Sequence, residues 1–217
     1  MNCRPLILII AALTLALPRL HALTLEQSFR FNRRGTCEVV YLYLVQESRA
    51  GAVKAMRQSL ERRLDASRGM DFFSEKAVRD HFADLPGGRL VSYNLQHYRH
   101  QGEPCVAVRI ALRLEQPRLA FASGALGELM LRDSIHLGDL ELDLPLPAHD
   151  KPLAPAEAER LDAWLDLLGG LEVVVRIETP TALIECNGRR EAFNRAVWRY
   201  DARLLKAGGL PAIHVRW

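Results

Sequence analysis

The segment TLEQSFRFNRRGTCEVVYLYLV, residues 24–45, decides the fold because it contains two strand patterns separated by a turn. Its first part alternates, with Leu25, Phe29 and Phe31 on one side of an extended chain. Residues 32–35 form a polar stretch that ends in glycine, and residues 36–45 are rich in β-branched and aromatic side chains. The sequence therefore predicts a β-hairpin whose second strand, apolar on both faces, lies in the centre of a sheet.

A second hairpin is predicted at residues 90–114, around the turn Gln101-Gly102-Glu103. In its return strand, aliphatic residues occupy every second position, which indicates one buried face; they are Val106, Val108, Ile110, Leu112 and Leu114. The same reasoning predicts further strands at residues 134–146, 171–178, 182–187, 196–200 and 211–217.

Helical periodicity appears in three places. Residues 49–68 carry an apolar stripe at spacings of three and four, made of Val53, Met56, Leu60 and Leu64. A shorter helix starts after Ser74 as N-cap, turns Val78 and Phe82 inward, and ends before the Pro-Gly-Gly of residues 86–88. A third runs over residues 156–168, before Gly169 and Gly170. We predict the α+β class: an antiparallel sheet of hairpins with two to three helices packed on one face.

Residues 1–22 resemble a secretory signal peptide. A short basic start with Arg4 precedes an apolar stretch from Leu6 to Leu17 that only Thr14 interrupts. That stretch is too short for a membrane-spanning helix, which needs about 20 apolar residues. We expect cleavage after Ala22, export to the periplasm, and a single soluble α+β domain over residues 23–217. An uncleaved N-terminal anchor is the alternative.

Composition excludes several classes of protein. The chain has 217 residues, 49% hydrophobic and 25% charged, which is typical of a globular protein and not of a disordered or repetitive chain. Without residues 1–22, 27 basic residues face 26 acidic ones, so the net charge is about +1. A general electrostatic affinity for nucleic acid is therefore not expected.

Three cysteines remain after the signal segment, namely Cys37, Cys105 and Cys186. They are far apart in the sequence and lack the CxxC spacing of zinc and redox sites. Two alternatives stay open: one disulfide with one remaining thiol, or three buried, inert thiols.

No residue pattern assigns a metal site. Asp139, Glu141 and Asp143 share one face of a strand, where carboxylates lie about 7 Å apart and do not form the curved loop that calcium needs. His97 and His100 would point to opposite faces of a strand. His136 faces away from Asp139 for the same reason, and His214 has no carboxylate or cysteine nearby in the sequence.

Catalytic motifs are equally missing from the sequence. Ser123-Gly124 lacks the context of a nucleophile elbow, and no glycine-rich phosphate loop is present. We therefore assign no catalytic, cofactor-binding or metal residue, and expect no cofactor and no enzymatic activity.

Two stretches near the end carry a family resemblance: TPTALIECNG, residues 179–188, and FNRAVWRY, residues 193–200. A strand ending in Asn, a short turn, and an Asn-x-x-Val-Trp strand resemble the LppM-like domain of bacterial envelope lipoproteins and secreted proteins. The order of elements is also similar over most of residues 23–217. The resemblance implies an envelope-located α+β module, with lipid or glycolipid handling in some relatives, and it implies no catalytic residues.

The chain departs from that family in two ways. We expect neither a lipobox cysteine nor a C-terminal membrane anchor, and residues 189–192 make a longer, more charged turn. Trp198 is interpreted as a core residue, and Asn187-Gly188 as a tight turn that needs a positive φ.

The favoured hypothesis is a non-enzymatic module of the cell envelope that binds a lipid or amphiphile. A protein-interaction or assembly factor is the first alternative, and an envelope enzyme without a recognisable motif is the second. Peripheral contact with a membrane is expected through the basic helix 49–68, unless its apolar stripe serves only as a core face. The oligomeric state stays open.

Overall fold

The structure of the chain, a computed structural model, describes residues 23–51, 71–100, 102–126, 130–133, 140–144, 159, 162, 163, 166, 170–201 and 213–217. Within these residues it contains a seven-stranded sheet, a four-stranded sheet and short helices. This arrangement confirms the α+β class predicted from the hairpin and helix patterns.

The first predicted hairpin is confirmed. Strands β1 (Leu23–Phe31) and β2 (Cys37–Gln46) are antiparallel. Gly35 closes the turn with a φ of 76°, a left-handed conformation that glycine adopts without a steric penalty. Phe29 and Phe31 are buried on one face, as the alternation predicts.

Helix α1 (Glu75–His81) follows the N-cap pattern expected for it. The Ser74 hydroxyl oxygen accepts a hydrogen bond from the backbone N–H of Ala77 at 3.3 Å. Val78 and Phe82 are buried, so both inward predictions are confirmed.

The second hairpin is formed by β3 (Gly88–His100) and β4 (Glu103–Leu114). All five aliphatic residues predicted on one face of β4 are buried, because that face lies against the core; they are Val106, Val108, Ile110, Leu112 and Leu114. A β-bulge shifts the register of β3 between Leu90 and Ser92.

The remaining elements are α2 (Pro117–Ala122), β5 (Met130–Asp133), β6 (Leu140–Leu144), β7 (Leu171–Glu178), β8 (Glu185–Cys186), β9 (Arg189–Ala192), β10 (Arg195–Asp201) and β11 (Ile213–Arg216). The main sheet has the order β3-β4-β2-β1-β7-β10-β9, and the smaller sheet the order β5-β6-β11-β8. As predicted, β2 is a central strand.

Three details correct the sequence interpretation. Strand β7 pairs with β1 in parallel, whereas only antiparallel neighbours were expected, because strand periodicity carries no information on pairing between distant segments. Residues 189–192 are strand β9 and not part of a long turn, since they pair with β10. The strand predicted at 182–187 is limited to Glu185 and Cys186.

The core lies on one face of the main sheet. Aromatic rings from the covering elements pack against rings of the sheet there. The ring centroids of Phe121 in α2 and Phe29 lie 6.0 Å apart, and those of Trp217 and Phe31 lie 4.8 Å apart. Val78 of α1 belongs to the same buried cluster. Helices α1 and α2 thus pack on one face, and polar side chains of β1, β7 and β10 lie on the other.

Several predictions fall outside the described residues. The signal segment 1–22 and the apolar stripe of helix 49–68 are among them, although residues 47–51 are helical. Of the helix predicted at 156–168, positions 159, 162, 163 and 166 are described, and they are helical. No helix in the described part of the chain is long and apolar enough to span a bilayer.

Candidate functional site

A row of charged residues crosses one end of the main sheet. The members pair with one another in register, strand by strand from β3 to β10: Arg89, Arg113, Glu38, Arg30, Glu178 and Arg195. Neighbouring strands lie about 4.8 Å apart, so the row is about 24 Å long. Residues paired in register point to the same face, and this face is the one turned away from the core.

The β1–β2 turn adds two arginines to this end of the sheet. Arg33 and Arg34 are both exposed at its tip. Asn32 holds the turn: its Oδ1 accepts from the backbone N–H of Arg34 at 2.9 Å and from that of Thr36 at 3.2 Å. The backbone N–H of Asn32 also donates to the carbonyl of Thr36 at 3.0 Å. The two arginines are thus presented by a fixed turn.

We call this region the arginine end; it comprises Arg30, Arg33, Arg34, Arg89, Arg113 and Arg195 with the glutamates Glu38, Glu115 and Glu178. Two ion pairs lie within it, Arg30 to Glu178 at 3.3 Å and Arg113 to Glu115 at 2.9 Å. The other four arginines form no ion pair with any residue that the structure describes. The arginine end therefore has an excess of three positive charges.

A shallow groove of about 270 Å³ opens along the middle of the row. Arg30, Arg176 and Arg195 contribute to its walls, together with Glu38 and Glu178. Guanidinium groups present planar pairs of N–H donors that match phosphate and carboxylate oxygens. The groove can therefore hold an anionic group. Arg195 forms no ion pair with any residue that the structure describes, so it could bind this group without breaking one.

The connection between β7 and the β9–β10 hairpin lies beside the arginine end. Thr179 follows β7 and is buried, with 1% of its surface exposed. Its backbone N–H donates to the carbonyl of Asn194 at 2.9 Å, and the Asn194 side-chain amide donates back to the Thr179 carbonyl at 2.9 Å. The Thr179 hydroxyl lies 2.8 Å from the carbonyl oxygen of Thr181 and 3.1 Å from that of Asn194, so the two acceptors share its one proton. These bonds fix the turn of residues 193–194.

A second polar node joins the two sheets. Asn187 Oδ1 accepts from the indole N–H of Trp198 and from the backbone N–H of His214, both at 2.9 Å. Trp198 belongs to β10 of the main sheet and His214 to β11 of the smaller one. Trp198 is buried, which confirms its interpretation as a core residue.

Gly188 corrects the sequence interpretation of the Asn187-Gly188 pair. Its φ lies outside the left-handed region, so a positive φ is not the reason for a glycine there. A Cβ at this position would lie 2.4 Å from Cε2 of Trp198. Glycine is required because the indole ring packs directly against the backbone.

The histidines and carboxylates considered as metal ligands do not converge. His97 is exposed and its Nδ1 lies 2.7 Å from Glu47 Oε1, while His214 Nε2 lies 3.9 Å from Glu185 Oε1. Among the residues that the structure describes, no three His, Cys, Asp or Glu side chains are grouped to hold a metal. The side chains of Asp139, Glu141, Asp143 and His136 lie outside the described set.

The cysteines Cys37, Cys105 and Cys186 are free thiols with no disulfide among them; Cys37 and Cys105 are buried, as the thiol alternative predicts, whereas Cys186 is half-buried. Burial raises the pKa of the Cys37 thiol well above its ordinary value of 9.0. A protonated, buried thiol is a poor nucleophile. Ser123 is also engaged locally, because its hydroxyl donates to the carbonyl of Ala120 at 2.7 Å.

Comparison with known proteins gives a distant likeness. The folded domain of the LppM protein of Mycobacterium tuberculosis, determined by NMR, is similar to this chain with a TM-score of 0.45 and 12% identity. The match covers 92% of this chain and 93% of that domain. No known family of sequences matches the chain, and no curated protein does. Membership of the LppM-like family thus stays a prediction.

Sequence reasoning missed the arginine end. The Arg33-Arg34 pair in a turn was visible, but Arg89, Arg113 and Arg195 come from strands far from it in the sequence. Only the register of five strand pairs brings them into one row. The short spacing of Arg30, Arg33 and Arg34 before β2 is the one signal that would have suggested it.

Proposed function

We propose that this chain is an exported module of the cell envelope that binds anionic lipid membranes peripherally through its arginine end. The observation that carries this proposal is the concentration of positive charge there. Residues 23–217 as a whole have a net charge of about +1, whereas the arginine end alone has an excess of three. The charge is thus unevenly distributed, and a surface of this kind orients a protein on an anionic partner.

The geometry supports a flat partner. The row runs about 24 Å across one end of the seven-stranded sheet, and the fixed Asn32 turn extends it with Arg33 and Arg34. Because the backbone that carries these arginines is already ordered, binding has only their side chains left to order. Phosphate groups spaced along a lipid surface can meet several of these guanidinium groups at once.

The proposal keeps the lipid hypothesis made from the sequence but assigns membrane contact to a different surface. Membrane contact was expected through the basic helix 49–68, whose stripe lies outside the described residues. The arginine end has a positive charge comparable to that of helix 49–68, and its residues lie in strands and a hydrogen-bonded turn that the structure describes. We therefore propose that the protein binds to a membrane surface by contacting the headgroups of its lipids.

Vesicle co-sedimentation tests the proposal. The purified domain, residues 23–217, is mixed with vesicles of phosphatidylcholine containing 30% phosphatidylglycerol, and with vesicles of phosphatidylcholine alone. We expect binding to the first at low salt and weak binding to the second. The double variant Arg33→Gln, Arg34→Gln removes two cations, each contributing about 1 kcal/mol near an anionic surface, so partitioning should fall about 30-fold.

The matched control is Arg99→Gln with Lys76→Gln, which removes the same charge elsewhere. Arg99 lies at the opposite end of β3, and Lys76 is exposed on α1. If both double variants lose binding equally, only net charge matters and the assignment to the arginine end is wrong. Equal binding of wild type to both vesicle compositions would also contradict it, as would finding the protein in the cytosolic fraction of its own cells.

A further inference from the structure

The turn between β9 and β10 presents a large apolar side chain to solvent. Phe193 is 73% exposed, more than any other large apolar residue in the described part of the chain. Ile184 is 52% exposed and lies on the adjoining segment, since the backbone N–H of Leu183 donates to the Phe193 carbonyl at 2.8 Å. We call Phe193 and Ile184 the apolar tip.

The apolar tip is held in place by buried groups. Thr179 and Asn194 exchange hydrogen bonds at 2.9 Å on both sides of the turn. Thr179 is the single polar residue buried among those described. Burying a polar group is unfavourable unless it is hydrogen-bonded, and here its bonds serve to fix the conformation of an exposed turn. The fixed backbone of this turn presents Phe193 to solvent.

Two arginines lie near the apolar tip. Arg195 begins β10 one residue after the turn and lies in the charged row. Arg190 donates to the Ile184 carbonyl at 3.1 Å, so its guanidinium group lies beside the tip. An apolar side chain among cations matches the boundary between lipid headgroups and acyl chains, where the ring enters the apolar layer and the guanidinium groups meet phosphates.

We propose that Phe193 inserts into the bilayer as an interfacial anchor when the arginine end binds an anionic membrane. This inference rests on the proposed function and adds to it the depth of binding. Electrostatic contact alone would leave the protein on the headgroups, whereas insertion of the ring gives binding a component that salt does not screen.

The test uses the domain 23–217 and the two vesicle compositions named above. Phe193→Ser should lower partitioning into vesicles with 30% phosphatidylglycerol about tenfold, and the loss should persist at high salt. The matched control is Val91→Ser: Val91 is 54% exposed on β3, at the far edge of the sheet from β9, and its loss should change partitioning less than twofold.

A second variant keeps the test decisive if Phe193→Ser is poorly folded. Phe193→Trp should show a blue-shifted emission on anionic vesicles, relative to wild type, and quenching by brominated acyl chains. If Phe193→Ser binds like wild type and the new indole is not quenched, the anchor is refuted, while loss of binding in the Arg33, Arg34 double variant still supports the proposed function. If wild type binds an acidic protein and neither type of vesicle, both proposals fail.

Discussion

The packing of Trp198 on Gly188 leads to a quantitative prediction for Gly188→Ala. The added Cβ would lie 2.4 Å from Cε2 and 2.7 Å from both Cδ2 and Cζ2 of the indole. Carbon atoms normally pack at about 3.5–4.0 Å, so the overlap is about 1 Å at three atoms. The ring is buried and its N–H is bonded to Asn187, so it cannot move aside freely.

The magnitude follows from these contacts. Overpacking of a buried site costs about 1–3 kcal/mol, and displacement of the indole would also lose its hydrogen bond, which contributes about 1 kcal/mol. We expect Gly188→Ala to lower the free energy of unfolding by about 2–4 kcal/mol. This is a large part of the total of about 5–15 kcal/mol that typical domains have.

Urea unfolding followed by circular dichroism measures this change. The matched control is Gly51→Ala, at a helical position where an added Cβ would meet no heavy atom within 4 Å. That control should be neutral or stabilising by up to about 1 kcal/mol, since alanine favours the helix. A Gly188→Ala variant within about 0.5 kcal/mol of wild type would show that the close contact does not explain the glycine.

Three further predictions concern the hydrogen bonds of Asn187 and the buried groups Cys37 and Tyr41. Asn187→Ala should lower the free energy of unfolding by about 1–3 kcal/mol, because the indole of Trp198 and the N–H of His214 both lose their acceptor, whereas Asn187→Asp, which keeps an acceptor, should lose less in the same urea titration. In a Cys105→Ser, Cys186→Ser background, Cys37 should react with a thiol reagent only in denaturant, which a time course of absorbance at 412 nm checks; rapid reaction in buffer would contradict its burial. Burial raises the pKa of Tyr41 above its ordinary 10.0 and that of Cys37 above 9.0, so stability should be full below about pH 8.5 and fall as the pH rises beyond it; thermal melts should show a shallower decline for Tyr41→Phe, and equal slopes would refute this assignment.

Local elements of this fold could be predicted from the sequence because they depend on neighbouring residues. The period of two in residues 106–114 predicts the buried face of β4, and Ser74 predicts the start of α1 through its own side-chain hydrogen bond. The bounds of β7 were also predicted, since Gly169 and Gly170 precede the strand pattern and a Thr-Pro pair follows it.

Long-range pairing could not be predicted in this way. The β1–β7 pair joins Leu23 to Leu171, and nothing in either segment specifies the other. The arginine end depends on the same pairings, so its six arginines could be read in the sequence but not placed together. Gly188 shows a subtler limit: the requirement for glycine was recognised, but its cause is an indole from another strand.

The parallel pairing of β1 and β7 also has a consequence for the order of folding. The β1–β2 hairpin is local and can form as soon as both strands have been synthesised, whereas the outer edge of β1 waits for a partner that lies far along the chain. Until then its free N–H and C=O groups are a template for pairing with other chains. Fragments that stop before residue 171 should therefore self-associate, and a holding chaperone would be of most use to the chain during that interval.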